Sequence, residues 1–145
     1  MGGSNAMAFR MITQIAGSAM TAQTVRLNTI ASNLANAQSA SGTEADTYRA
    51  RKPVFQAINQ AGAADQLPGA RVQVLDVIQS DEPLRKLHQP ENPMANEQGD
   101  VFLPNVNPVA EMTDMLSASR AFETNVEVLG RVKSMQQSLL KLGEG

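Results

Sequence analysis

The chain contains no cysteine and no tryptophan, and only 3% of its 145 residues are aromatic. The missing cysteines exclude a disulfide scaffold and thiolate chemistry, and they make the chain indifferent to redox compartment. Aromatic side chains ordinarily dominate core burial. Their scarcity leaves Met, Leu, Val and Ala to do the packing, a set that suits helix seams better than a globular core. Long apolar runs are missing too. Nothing from Met7 onward approaches the roughly 18 apolar residues that span a bilayer, and no apolar segment precedes a small-residue cleavage site. The expectation is a chain that neither spans a membrane nor leaves the cell through a cleavable signal. No charge sign dominates: 12 Lys and Arg face 14 Asp and Glu, for a net −2, which speaks against nucleic acid as the main partner.

What is present is concentrated at the two ends. The length allows one or two small units. Residues 1–6 (Met, Gly, Gly, Ser, Asn, Ala) read as a cloning remnant ahead of a second methionine, Met7, and stand outside the fold argument. From Ile12 to Ala37, Met20, Leu27 and Leu34 recur at sevenfold spacing with Ala31 between them. A second line runs through Ile12, Ile15, Ala19, Ala22 and Ile30. Two apolar lines on one helix imply more than one neighbour. Residues 7–38 are therefore expected to form an axial helix, of which the 26 or so residues from Ile12 would make a rod of roughly 39 Å. A second long helix is expected over residues 108–145, opening with Pro108 at a tolerated first-turn position and ending before Gly143. Within it Met115, Phe122, Leu129 and Gln136 fall seven apart, as do Ala118, Asn125, Val132 and Leu139, with Met112, Val126 and Leu140 widening the stripe. A heptad seam and an ordinary bundle helix fit this pattern equally.

Residues 39–107 differ in character. Ser39 to Asp46 is small and polar, Gly62 to Gly69 is punctuated by Gly, Ala and Pro, and Pro83, Pro90, Pro93 and Pro104 follow. Such punctuation forbids long helices. Tyr48 to Ile58, Arg71 to Gln79 and the short Val101 to Leu103 have strand character, so a small β unit or set of hairpins is expected. The predicted fold class is thus mainly α with a small β middle segment, its terminal helices pairing as a coiled-coil-like unit.

Little chemistry is legible. His88 is the only histidine, and its nearest carboxylates, Glu91, Glu97 and Asp100, lie in a Pro-rich stretch without the i, i+4 spacing of helical ligands. A solvated loop is expected there, and no catalytic, cofactor or metal residue is predicted. Gly99 with Asp100 signals a turn, not a phosphate cradle. Arg49, Arg51 and Lys52 could touch phosphates, but alternation with Ala50 and Val54 reads as the polar face of a strand. On the last helix Glu123, Glu127 and Arg131 sit on successive turns. Their pair terms nearly cancel within the helix, so Glu123 is expected either to stay a solvated charge or to meet a basic residue of another helix, with Arg26 or a neighbouring subunit's equivalent the first candidate.

These residues carry a resemblance. The run Ile15 to Ala37 (IAGSAMTAQTVRLNTIASNLANA) resembles the amino-terminal signature of the flagellar axial proteins, and Tyr48 to Phe55 (YRARKPVF) is similar to the proximal-rod members of that family. Agreement continues through Pro90 to Met94, Leu103 to Val106, Met115 to Leu129 and Lys133 to Met135. The resemblance implies a non-enzymatic structural subunit without cofactors, whose terminal helices pack with those of neighbours while the middle faces outward. It also implies export through the flagellar type III channel, assembly in the periplasm, and contacts with the rod proteins FlgB, FlgF and FlgG, the adaptor FliE and further copies of itself. The expected subunit interface comprises Met20, Leu27, Ile30, Asn33, Leu34 and Asn36 on the first helix, and Met115, Phe122, Asn125, Leu129, Val132 and Leu139 on the second. Asn33 and Asn36 fit helix stopping and subunit recognition equally. Ala40 to Thr47 and Ala57 to Pro68 lack a firm match to the family pattern. A secreted coiled-coil effector or adhesin would share the amphipathic ends. Such a protein has no reason to carry the Pro90 to Met94 and Leu103 to Val106 runs. An enzyme built on His88 ranks third.

Overall fold

The computed structural model describes residues 2–59 and 69–144. Helix α1 spans Gly2–Asn36 and helix α2 Pro108–Glu144. Between them lie β1 (Arg51–Asn59), β2 (Ala70–Gln79), β3 (Arg85–His88) and β4 (Asp100–Leu103). The chain is thus mainly helical, with two small antiparallel sheets in the middle.

Helix α1 starts well ahead of Ile12, because nothing between Gly2 and Met11 interrupts a helix and Ala6 to Met11 favours one. It stops after Asn36, whose Nδ2 donates to the Ser32 carbonyl at 2.8 Å within its own last turn. The start of α2 follows the punctuation read from the sequence. Asn107 Oδ1 accepts from the amides of Val109 and Ala110 (3.2 and 3.3 Å), and Pro108, which has no N–H to satisfy, takes the first helical position. At about 1.5 Å per residue the two helices are rods of roughly 50–55 Å. They pack antiparallel, the end of α1 meeting the start of α2. No helix among the described residues is long and apolar enough to cross a membrane.

Strands β1 and β2 pair from Arg51 opposite Gln79 to Asn59 opposite Ala70, with the register shifting between Val54 and Phe55 and Leu75 left without a partner. The turn residues predicted between these strands lie, apart from Gly69, outside the described residues. The second sheet pairs β3 with β4, Arg85 opposite Leu103 and His88 opposite Asp100. Strand β3 corrects the sequence reading, which placed His88 in a loop. Arg85, Lys86, Leu87 and His88 are all exposed, so they carry no apolar alternation, and their strand conformation comes from pairing with β4.

Burial is concentrated where the sheets meet the helix ends. Val101 is fully buried, and Ala37, Ala50 and Val106 form a small cluster with Tyr48 against it. Along the helix pair the buried positions are Ala16, Ala22, Thr29, Ile30 and Asn33 on α1 and Ala118 and Val132 on α2.

Candidate assembly surface and its supporting network

Asn33 is 1% exposed, and every hydrogen-bonding position of its side chain is used. Its Nδ2 donates to the Arg51 carbonyl at 2.9 Å and to Glu111 Oε2 at 3.2 Å. Its Oδ1 accepts from the Arg51 amide at 2.9 Å and the Tyr48 hydroxyl at 2.8 Å. Two donors and two lone pairs are all that a carboxamide offers. One side chain therefore ties α1 to the first residue of β1 and to the first turn of α2. The Tyr48 hydroxyl, having donated its proton, accepts from Ser32 Oγ at 2.9 Å, and the Arg51 guanidinium lies 5.6 Å over the Tyr48 ring.

Asn105 repeats the device one step away. Its Oδ1 accepts from the Ala50 amide at 2.7 Å, while Nδ2 donates to the carbonyls of Ser80 and Glu82. Arg49 donates to the same two carbonyls, which explains why it stands outside the strand that was expected to carry it. In the turn before β4, Asn96 Oδ1 accepts from the amides of Gln98 and Asp100, and its Nδ2 reaches the Gly42 carbonyl. A side chain at Gly42 would place its Cβ 2.9 Å from the Met94 carbonyl oxygen, so the crossing of these two loops requires glycine. Gly99 has φ of 79°, the left-handed conformation that closes the turn.

A second polar tie crosses the helix pair. Arg26 Nη2 lies 2.6 Å from Asp114 Oδ1, and Arg26 also reaches Gln23. Within the chain this corrects the expected pairing of Arg26 with Glu123: the arginine is held by a carboxylate two turns nearer the start of α2.

The predicted interface residues fall into three groups. Ile30, Asn33 and Val132 are buried within the chain. Met20, Leu27, Leu34, Asn36, Phe122, Asn125 and Leu129 are half-buried along the helix pair, and the Asn125 amide donates to the Ala121 carbonyl of its own helix. Met115 and Leu139 are exposed, and they belong to a larger set that the sequence reading did not assign to the interface. Val109, Met112, Leu116, Val126, Met135, Leu140 and Leu142 on α2 are all exposed, Val109 at 72% and Leu116 at 60%. Tyr48, Asn105 and Glu111 were likewise missed as structural partners. Only the runs of family resemblance pointed to the first two, and nothing pointed to Glu111.

The β3–β4 sheet holds one ionic cluster. Asp100 accepts from His88 Nδ1 at 3.0 Å and from Lys86 Nζ at 3.1 Å. Those hydrogen bonds, His88 foremost, hold the Asp100 carboxyl below the ordinary carboxylate range. Among the described residues no group of three or more His, Cys, Asp or Glu is placed to hold a metal ion.

Comparison with known proteins connects this geometry to a family. Residues 14–40 match the family described as flagella basal body rod protein, and residues 97–142 match the flagellar basal body rod FlgEFG protein C-terminal family. A protein of Escherichia coli named flagellar basal-body rod protein FlgC is 49% identical over 138 residues, covering 95% of this chain and all of the relative. The protein of that name from Salmonella typhimurium is 46% identical over 141 residues, again covering 95% of this chain and all of the relative. That from Aquifex aeolicus is 36% identical over 121 residues, covering 83% of this chain and 87% of the relative.

Proposed function

Since the chain belongs to the FlgC family of flagellar basal-body rod proteins, we propose that its two long helices pack with those of neighbouring subunits to build the rod, and that the Asn33 network presets their arrangement. The chain is a structural protein of the flagellar basal-body rod. In the proposed reading it leaves the cell through the flagellar type III route and assembles in the periplasm with FlgB, FlgF, FlgG, FliE and further copies of itself. No catalytic step belongs to this role.

One observation carries the reading: similarity to rod proteins runs from end to end of the chain, with all of the Escherichia coli relative covered. The exposed apolar residues of α2 add support, because a side chain such as Leu116 or Val109 gains by leaving water when a neighbour arrives. The interface proposed on this basis comprises Met115 and Leu139 with the exposed α2 residues, and the half-buried Met20, Leu27, Leu34, Asn36, Phe122, Asn125 and Leu129 as its second layer. Ile30, Asn33 and Val132 act by holding the helix pair in shape. Deleting the gene tests the reading: imaging of basal bodies should show rods interrupted and swimming lost, both restored by the wild-type chain. Complete rods in the deletion strain would contradict it.

A further inference from the structure

The two outer edges of the β1–β2 hairpin differ. Asn33 holds both the amide and the carbonyl of Arg51, so residue 51 turns its backbone groups away from β2. Alternation along an antiparallel strand turns those of residues 53, 55, 57 and 59 outward as well. The pairing of Ala57 with Val72 agrees, because the Val72 amide also points outward, to Ser18 Oγ at 3.2 Å. Strand β2 is guarded along its outer edge. Ser18 caps Val72, the Asp76 carboxylate caps the Val77 amide at 2.7 Å, and the register shift at Leu75 breaks the line. On β1, Asn33 occupies Arg51 and Pro53 has no N–H to offer. Beyond Pro53 the edge is open: among the described residues, no hydrogen bond reaches the outward backbone groups of Phe55, Ala57 or Asn59. Ser18 places α1 at the edge of β2, so this part of β1 points away from α1, and α2 touches neither strand.

From Pro53 to Asn59 the strand is uncharged, and Phe55 and Ile58 are 39% and 40% exposed. An open, uncharged edge is a template for another strand. Strand β3 has an open edge too, since Phe102, opposite Lys86, turns its own backbone groups the other way to Ser41. That edge carries Arg85, Lys86 and His88, and charged side chains along an edge keep further strands off. The match for the neutral edge of β1 is therefore the same edge of a second copy.

We propose that β1 of one copy pairs antiparallel with β1 of a second copy about a twofold axis at Ala57. Residue 57 then lies opposite residue 57 and Phe55 opposite Asn59, each pair exchanging both of its N–H···O bonds. On the other face Ile58 is covered by Gln56. Arg51 and Lys52 lie beyond the paired stretch, and Asp76 and Arg71 sit on the outer strands, away from the join. The two hairpins become one continuous sheet. A twofold contact closes on a pair, so it is separate from the contacts that repeat along a rod, and the inference does not rest on the rod reading.

Position 57 meets itself in this arrangement, which makes the test specific. Ala57 is exposed, so a longer side chain fits the single chain. Analytical ultracentrifugation of the wild-type chain should show a dimer that forms as concentration rises. Ala57→Lys and Ala57→Asp each set like charges across the axis and should weaken that dimer about fivefold, while a mixture of the two variants should restore it by pairing opposite charges. A wild-type chain that stays monomeric to its solubility limit overturns the proposal. So does a dimer that survives both substitutions or fails to return in the mixture. If either variant unfolds, hydrogen exchange on the wild-type chain decides. The amides of Phe55, Ala57 and Asn59 should exchange more slowly in concentrated than in dilute samples, and rates independent of concentration overturn the contact.

Discussion

Removing the Asn33 side chain takes a partner from the Glu111 carboxylate and from both backbone groups of Arg51, and leaves the Tyr48 hydroxyl with Ser32 alone. Each buried polar group so orphaned costs about 1–3 kcal/mol where water cannot replace the bond. Asn33→Ala should therefore lower stability by roughly 2–4 kcal/mol, read from urea unfolding followed by circular dichroism. Asn33→Asp should do no better, since it sets a second carboxylate beside Glu111. A cost within experimental error for both would show that the network is dispensable. Asp100 supports a separate expectation. Its carboxyl is lowered in the folded chain, so its contribution to stability is present above the unfolded value and is lost as pH falls through the lowered folded value. Nuclear magnetic resonance titration should find Asp100 protonating at lower pH than an ordinary carboxylate, and His88→Ala with Lys86→Ala should move it back upward. None of these partnerships was legible in the sequence. Asn33 reads as a helix stop or a recognition residue, but it binds residues 18 and 78 positions away, and such contacts leave no local spacing to find. Asn36, three residues on, does what a local reading allows.

At the scale of elements the sequence was a better guide, for reasons that differ between them. Helix α2 opened where Asn107 and Pro108 required, because capping is a local effect. Strands β1 and β2 matched their apolar runs because one face packs against α1. Strand β3 escaped notice because all four of its residues are exposed and only β4 dictates their conformation. The helical periodicity located the seam between Ala118 and Val132 but did not divide inner from outer positions, since apolar residues continue around α2. Two substitutions separate these faces. Leu129→Asp places a charge in the half-buried seam and should destabilise the isolated chain by about 2–3 kcal/mol. Leu116→Asp, on a side chain 60% exposed, should leave stability within about 0.5 kcal/mol of wild type. Equal effects of the two on thermal unfolding would mean that the seam has been misplaced. Local opening follows the same division. Residues 133–144 are all exposed, and their amides should exchange with solvent much faster than those of Ile30, Asn33 and Val101. Uniformly slow exchange through the end of α2 in a dilute sample would contradict this.

The whole molecule is a pair of rods joined at one end by polar clamps, with apolar side chains left in water along the second rod. Its small buried set, mostly alanine and valine, is modest for a chain of this length, and long helices draw much of their stability from what packs against them. In the assembly we propose, neighbouring subunits supply the missing burial. Asn33, Asn105, Arg26 with Asp114 and the Val101 cluster hold one chain together, whereas the outer face of α2 is the surface proposed to join it to others. The amount of Leu116→Asp chain recovered in purified basal bodies tests that separation most directly, measured beside its unfolding midpoint in solution. The account predicts a chain that folds like wild type yet is absent from basal bodies, or nearly so. Recovery at the wild-type level would contradict it, because α2 would then present its apolar face to nothing.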